Sequence, residues 1–203
     1  WVETPANSQH AEEALEVTLP FLLQSGIVSP VIEVRAVTVE LLHDITKVAG
    51  PLLKPHVVQL INTLLNAISL LEPKELNYLR QHVEAHNITE EAIDTARMII
   101  SNSSPVNATL QFCLQQIDET NVTDVVPVLL ECLTQAIGLS TRIGTAQFIN
   151  QLALLNPTVS RIAAHKLILT LRKSVISKSV PLRKQCASAL GILCKLAKPK
   201  AIS

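Results

Sequence analysis

The chain has 203 residues, of which 48% are hydrophobic and 2% aromatic, with five glycines and a formal net charge of zero. Scarce aromatics and scarce turn glycines argue against a β-sandwich or barrel, whereas abundant Leu, Ile, Val and Ala favour packed helices. Charged residues are 17%, below the ~25% of an average soluble domain, and no run approaches the ~18 uncharged apolar residues that a membrane span needs.

The predicted helices recur at constant distances from three arginines, Arg35, Arg142 and Arg183. Apolar residues follow each arginine by six, seven, ten and thirteen positions, which is one face of a helix: Leu41, Leu42, Ile45, Val48; Phe148, Ile149, Leu152, Leu155; Ala189, Leu190, Leu193, Leu196. The residues sixteen, fifteen and twelve positions before each arginine are apolar or proline, and they predict a second helix ahead of the first: Leu19, Pro20, Leu23; Val126, Pro127, Leu130; Leu167, Ile168, Leu171. We call the preceding helix A and the arginine-bearing helix B. Arg142 and Arg183 are 41 residues apart, within the ~40–47-residue period of HEAT and armadillo repeats.

The first unit has clear start and stop signals. Ser29-Pro30 predicts the start of helix B, with Ser29 as its cap and Pro30 at its first position. Gly50-Pro51 predicts its end, as Lys198-Pro199 does for the last helix. Pro20 and Pro127 are predicted to lie early in A helices, where a missing N–H costs little or bends the helix.

The middle of the chain is less regular. Val57–Leu71 predicts a second helix A, with a partner that begins at Glu75 and breaks near His86. Another helix follows from Asn87, with Glu90 completing a capping box before an apolar stripe of Ala92, Ile93, Ala96, Ile99 and Ile100; then come a loop (101–105), an extra helix (Val106–Ile117) and the third helix A, near Val122.

These patterns predict one all-α domain over residues 1–203, an α-solenoid of stacked antiparallel helix pairs of the HEAT or armadillo kind. About four units are expected, the middle one irregular, with an insert at about 77–105. A solenoid unit buries its faces only against its neighbours, and we expect this chain to be a piece of a longer array that exposes apolar surface at its ends.

No motif predicts catalysis, a cofactor or a metal. His82 and His86 are four apart, as in a zinc-ligand pair, but no third ligand is placed and Glu does not follow His82 directly, so exposed histidines are the simpler interpretation. Phosphate-loop, dinucleotide-binding and nucleophile-elbow patterns are absent. The four cysteines, Cys113, Cys132, Cys186 and Cys194, form no CxxC pair and are expected to be reduced core residues.

Charge is strongly divided along the chain. Residues through Glu131 include 17 acidic and six basic side chains, whereas residues from Cys132 onward include 11 basic and no acidic ones. The candidate protein-binding residues are Arg172, Lys173, Lys178, Arg183 and Lys184. Three interpretations stay open: a nucleic-acid surface, which lacks an aromatic stacking platform; a dock for an acidic protein surface; or a solvated edge whose acidic complement lies in a neighbouring repeat or the acidic first half.

The three recurring arginines are expected to be structural. Their stems would pack on the turn between helices A and B, and their guanidinium groups would meet carbonyls or carboxylates of the adjacent unit.

Several short segments occur in an order that resembles one family: Glu33-Val34-Arg35-Ala36; Leu71-Glu72-Pro73 with Leu76-Asn77-Tyr78-Leu79; Ser103-Ser104-Pro105; and Val125-Val126-Pro127 with Gly138-Leu139 and Gly144. Together they resemble the ECM29 family of very long HEAT-repeat proteins, over about Leu19 to Ala197 and in a region past the middle of the family's solenoid. The basic last third departs from that pattern, and it leaves open which partner surface applies here.

The resemblance implies a non-enzymatic scaffold that associates with the proteasome. It implies bridging of core and regulatory particles, quality control of assembly, and a cytoplasmic and nuclear location with peripheral links to endosomes, the endoplasmic reticulum and motor proteins. The rival hypothesis is a karyopherin- or condensin-like HEAT module that binds acidic cargo or nucleic acid. A tubulin-binding array is disfavoured because the A–B turns hold no aromatic residue and only Lys178 as a base, and an enzyme is the least favoured class.

Overall fold

A computed structural model describes residues 5–72 and 104–197, together with positions 78, 89, 92–93, 95–96 and 99 between them. The two long ranges consist of helices and short connections, and they contain no strand. The α-helices are α1 (Pro5–Phe21), α2 (Ile32–Ala49), α3 (Val57–Leu70), α4 (Pro105–Gln115), α5 (Val122–Thr134), α6 (Leu139–Leu155), α7 (Pro157–Ser174) and α8 (Val180–Leu196). The predicted all-α solenoid is confirmed.

The helices stack as pairs in chain order. Helix α5 packs against α3 and α7, α6 packs against α8, and α2 packs against α4. The A helices α3, α5 and α7 therefore form one layer, and the B helices form the other. Because successive pairs stack in the same orientation, the turns between the two helices of each pair lie on one side of the stack. We call this side the A–B edge.

The predicted partner of α3 is not among the described residues, and α4 is a helix that packs against α3. Residue Glu75, at which the partner was expected to begin, lies outside the described residues, as do His86, Asn87 and Glu90. Helix α4, predicted as an extra helix, packs against α3 and α2. An ion pair joins Lys54, just before α3, to Asp118, just after α4, at 2.5 Å. The two helices therefore run antiparallel, so the end of α3 and the start of α4 both lie at the A–B edge.

Pro20 lies at the end of a long helix rather than early in a short one, so that prediction is wrong. A proline within a helix removes one backbone hydrogen bond and crowds the preceding turn. Helix α1 ends one residue after Pro20, at Phe21, and a π-helical turn, Leu22–Gly26, follows it directly. Such wider turns are a common response to a disrupted hydrogen-bond ladder. Pro127 lies within the first two turns of α5, as predicted.

Ser29 does not cap helix α2, which begins at Ile32 with Val31 as its N-cap. The Ser29 hydroxyl instead accepts the N–H of Val31 at 3.2 Å. Arg35, six residues further along the chain, donates to the Ser29 carbonyl at 2.6 Å and holds Ser29 in the turn before the helix. The predicted stop at Gly50 is confirmed, since Gly50 follows the last residue of α2 with a φ of +51° that glycine tolerates best.

The predicted apolar stripes are buried or half-buried except at their ends. Leu42, Ile149, Leu152 and Leu193 are fully buried, but Val48 is 69% and Leu155 60% exposed, and Leu196 is half-buried. The residue thirteen positions after each arginine lies at the end of helix B, where neighbouring helices no longer cover its side chain. Leu41 is also 45% exposed, because no described helix packs over that side of α2.

The joint between α3 and α6 is tight and polar. The hydroxyls of Ser69 and Thr141 are 2.8 Å apart, and the Ser69 hydroxyl also accepts the N–H of Thr141 at 3.0 Å. Ser140 donates to Glu72 at 2.7 Å. Gly138 leaves no room for a Cβ because Ser69 occupies that space. This joint fixes the end of α3 against the start of α6 at the A–B edge.

Candidate protein-binding surface

Each A–B turn outside the middle unit is fastened by its recurring arginine. Arg35 donates to the Ser29 carbonyl at 2.6 Å, Arg142 donates through Nε to the Leu133 carbonyl at 3.0 Å, and Arg183 donates to the carbonyls of Ser177 and Lys178, both at 2.8 Å. The predicted bonding to carbonyls is confirmed. The predicted bonding to the adjacent unit is wrong, because a short turn brings the guanidinium back to carbonyls of its own helix pair.

The basic residues singled out from the sequence meet at the last A–B turn. Arg172 and Lys173 lie in the last turn of α7, Lys178 in the connection, and Arg183 and Lys184 in the first turns of α8. Arg183 is half-buried and engaged with the turn, whereas the other four side chains are exposed. Arg172 and Lys173 also lie where the helix dipole favours cations. The structure therefore separates one turn-fastening arginine from four solvent-facing cations.

No acidic side chain neutralises these four cations within the described residues. The ion pair recorded in that part of the chain joins Lys54 to Asp118, far from the last turn. No Asp or Glu follows Glu131 in the sequence, and among the described residues Glu131 itself, exposed in the last turn of α5, forms no ion pair with these cations. The three interpretations of the basic region stay predictions. A field of one sign at an exposed edge attracts partners of opposite charge.

Two highly exposed isoleucines lie in the turns near these cations, and the sequence analysis did not single them out. Ile137 is 104% exposed in the α5–α6 turn and Ile176 is 85% exposed in the α7–α8 turn. In the first unit, Val28 occupies the corresponding turn and is 54% exposed. Helix-connecting turns favour Gly, Pro, Asn, Asp and Ser. An aliphatic residue in a predicted turn between two helices was therefore the sequence signal that could have identified these exposed isoleucines.

The cysteines lie in the core rather than at this surface. Cys113, Cys132 and Cys186 are buried and Cys194 is half-buried, all four as free thiols. Burial raises the pKa of Cys113 to about 12, and the pKa values of Cys132 and Cys186 to about 11. The three buried thiols stay protonated at neutral pH, so they lack the thiolate that nucleophilic chemistry needs.

Metal-binding and membrane-spanning features are absent from the described part of the chain. His82 and His86 lie outside it. Within it, no three His, Cys, Asp or Glu side chains group as metal ligands, and no helix combines the length and apolar character of a bilayer span.

Comparisons with known proteins identify the family. A family model described as the HEAT-repeat domain of the proteasome adapter and scaffold protein ECM29 matches residues 53–203.

The chain belongs to the ECM29 family.

Among its ECM29 relatives, the human proteasome adapter and scaffold protein ECM29 is 36% identical over 94% of this chain and 10% of that protein. The proteasome-associated protein ECM29 homolog of Drosophila melanogaster is 30% identical over 97% of the chain and 11% of the relative. The proteasome component ECM29 of Saccharomyces cerevisiae is 28% identical over 71% of the chain and 8% of the relative. The chain thus spans about a tenth of the length of these ECM29 proteins. No solved structure matches it.

Proposed function

We propose that this chain is a non-enzymatic segment of a proteasome-associated scaffold, and that it contributes a rigid helical stack with a protein-binding A–B edge. Support comes from the names of its relatives, which are described as proteasome adapter, scaffold or component proteins. The observation that carries the binding role is the group of four exposed cations at the last A–B turn, Arg172, Lys173, Lys178 and Lys184. Arg183 supports them by holding the turn.

In the whole protein, this scaffold would link the core and regulatory particles of the proteasome and act in quality control of their assembly. Location in the cytoplasm and nucleus, with peripheral attachment to endosomes or the endoplasmic reticulum through partners, belongs to the same proposal. No cofactor or small-molecule substrate is required, because a scaffold acts by holding surfaces at fixed distances. HEAT stacks suit this role since each pair contacts only its neighbours and the outer surface stays free.

Affinity capture tests the proposal. The 203-residue chain, immobilised through a terminal tag, is incubated with cytosol, and the retained proteins are identified by mass spectrometry. Proteasome subunits are expected to be enriched over a tag-only support. Recovery of no proteasome subunit above that control contradicts the proposal for this segment.

The rival function is binding of nucleic acid or acidic cargo by a karyopherin- or condensin-like module. The exposed cations are the observation that favours it. Duplex DNA binding through phosphates would weaken steeply with salt, with a slope of log affinity of about −0.9 per phosphate neutralised. A slope of several units would support the rival, and binding undetectable at about 0.15 M salt would exclude DNA as a physiological ligand.

A further inference from the structure

We propose that the A–B edge of the last two helix pairs binds an acidic protein segment that places two aliphatic side chains on Ile137 and Ile176. This inference rests on the proposed function and names the chemistry of the partner. It joins two observations, the exposed aliphatic residues and the unneutralised cations, that lie at the same edge of the stack.

The two isoleucines lie side by side because their helix pairs do. Helix α5 packs against α7 and α6 packs against α8, so the turn at 135–138 is adjacent to the turn at 175–179. Packed helices lie about 8–10 Å apart, and we therefore place the two side chains roughly 10 Å apart. Two aliphatic side chains share a face and span about that distance when they are three residues apart in a polyproline II segment or seven apart in a helix.

Solvent exposure makes these residues candidates for contact. Single exposed aliphatic residues are ordinary on protein surfaces, but Ile137 and Ile176 are 104% and 85% exposed in turns that ordinarily favour polar residues. Both turns are also held in place, by Arg142 bonded to Leu133 and by Arg183 bonded to Ser177. A fixed apolar tip loses little conformational entropy when a partner covers it.

Charge selects an acidic occupant. Lys178 lies two residues from Ile176 in the same turn, and Lys173 and Lys184 lie on the helix ends that flank it; all three are exposed. None of the three has an ion-pair partner within the described residues. A basic segment would be repelled, whereas Asp or Glu beside the aliphatic residues of the partner would meet these cations. The favoured ligand is an acidic peptide, because nucleic acid offers no aliphatic side chain for the isoleucine tips.

Fluorescence anisotropy with defined peptides tests this assignment on the whole 203-residue chain. Two labelled probes carry several Glu residues and two leucines, three apart in one and seven apart in the other. A third, with both leucines replaced by Ser, measures charge alone. We expect at least one leucine peptide to bind about tenfold or more tightly than the Ser peptide, as burial of two aliphatic side chains allows.

Variants locate the binding. Ile137→Ser combined with Ile176→Ser should reduce leucine-peptide affinity to that of the Ser peptide and leave Ser-peptide binding unchanged. Lys178→Glu combined with Lys184→Glu should abolish binding of all three. The matched controls also change two residues each: Leu154→Ser with Leu155→Ser, both 60% exposed at the end of α6, and Lys166→Glu with Lys195→Glu, both exposed and away from the edge. Both controls should bind like the parent chain.

The inference is overturned if no leucine peptide binds better than the Ser peptide, or if the isoleucine variant binds unchanged. Duplex DNA that binds equally well to parent chain and isoleucine variant, with no peptide binding, assigns the edge to nucleic acid and overturns it too. If the chain captures proteasomes while no peptide binds, the inference falls and the proposed function stands. If the leucine peptides bind while the chain captures no proteasome, the inference stands and the proposed function falls.

Discussion

Helices α2 and α6 carry the same repeat register but bury different positions. Three repeat positions illustrate this: the residue before the recurring arginine and those two and six residues after it. In α2 they are Val34, Val37 and Leu41, which are 44%, 54% and 45% exposed. The same three positions in α6 are Thr141, Gly144 and Phe148. Thr141 bonds to Ser69 of α3, Gly144 lies against Ile68 of α3, and Phe148 is buried.

The comparison shows that the register determines which way a side chain points, and the neighbouring helix pair determines whether it is buried. Helix α3 packs against this face of α6, where the three positions hold a hydroxyl residue, a glycine and a buried aromatic residue. Helix α2 has no described helix over the corresponding face, and its residues there are aliphatic. Charge follows a separate pattern, since the last pair is uniformly basic and the first pairs are mainly acidic.

The largest predicted effect concerns Phe148 and Leu41, which share one repeat position. Phe148→Ala should lower the free energy of unfolding by about 3–5 kcal/mol, because it leaves a cavity in the core. Leu41→Ala should cost about 1 kcal/mol or less, because Leu41 is nearly half exposed. Urea unfolding followed by circular dichroism measures both, and equal losses would contradict the comparison.

A second prediction concerns two glycines in different surroundings. A Cβ at Gly138 would run into the side chain of Ser69, so Gly138→Ala should destabilise by about 1–3 kcal/mol through overpacking of the α3–α6 joint. A Cβ at Gly191, in α8, would meet nothing within 4 Å. Gly191→Ala should therefore stabilise by about 0.5–1 kcal/mol, since Gly is the poorer helix former. Thermal unfolding midpoints that move in the same direction for both variants would refute this assignment.

The smallest predicted effect is the pH dependence of the Lys54–Asp118 pair, which links the start of α3 to the end of α4. Hydrogen bonds from Lys54 and then Thr120 hold the pKa of Asp118 well below its usual range. A carboxylate with a lowered folded-state pKa stabilises the fold above its unfolded pKa, and that contribution is lost as the pH falls toward the folded value. The pair is exposed, so the effect should be slight.

Urea midpoints measured from about pH 6 down to about pH 3 test the sign. The parent chain should lose slightly more stability than Asp118→Asn over the acid part of that range, because only the parent has a charge to lose. A steeper loss of stability in acid for Asp118→Asn than for the parent chain would contradict this prediction.

Local signals predicted much of this fold. The stripes after Arg35, Arg142 and Arg183 placed the B helices, and Gly50 marked the end of α2, because helix periodicity and backbone freedom are properties of the local sequence. The packing of α4 against α3 could not be predicted in this way, since it depends on contacts across more than thirty residues of chain. Ser29 failed as a cap because a bond from Arg35 draws its carbonyl into the turn.

The sequence predicted the charged residues of the candidate surface but not its exposed aliphatic residues. Charge is visible in the sequence, so Arg172, Lys173, Lys178 and Lys184 were identified, and the structure leaves them exposed. Arg183 was grouped with them because its bonds to the turn carbonyls cannot be seen from residue type. Ile137 and Ile176 were missed because an aliphatic residue near a predicted helix end is ordinarily assigned to the core.

Proteasome capture by two charge-matched variants tests most directly whether the A–B edge of the last pair is where this scaffold segment binds. One variant changes Lys173, Lys178 and Lys184 to Glu at the edge, and the other changes Arg161, Lys166 and Lys195, exposed cations away from it, to Glu. Both carry the same net charge. We expect the edge variant to retain little proteasome and the other to retain nearly as much as the parent chain, whereas equal retention by the two variants would contradict binding at this edge.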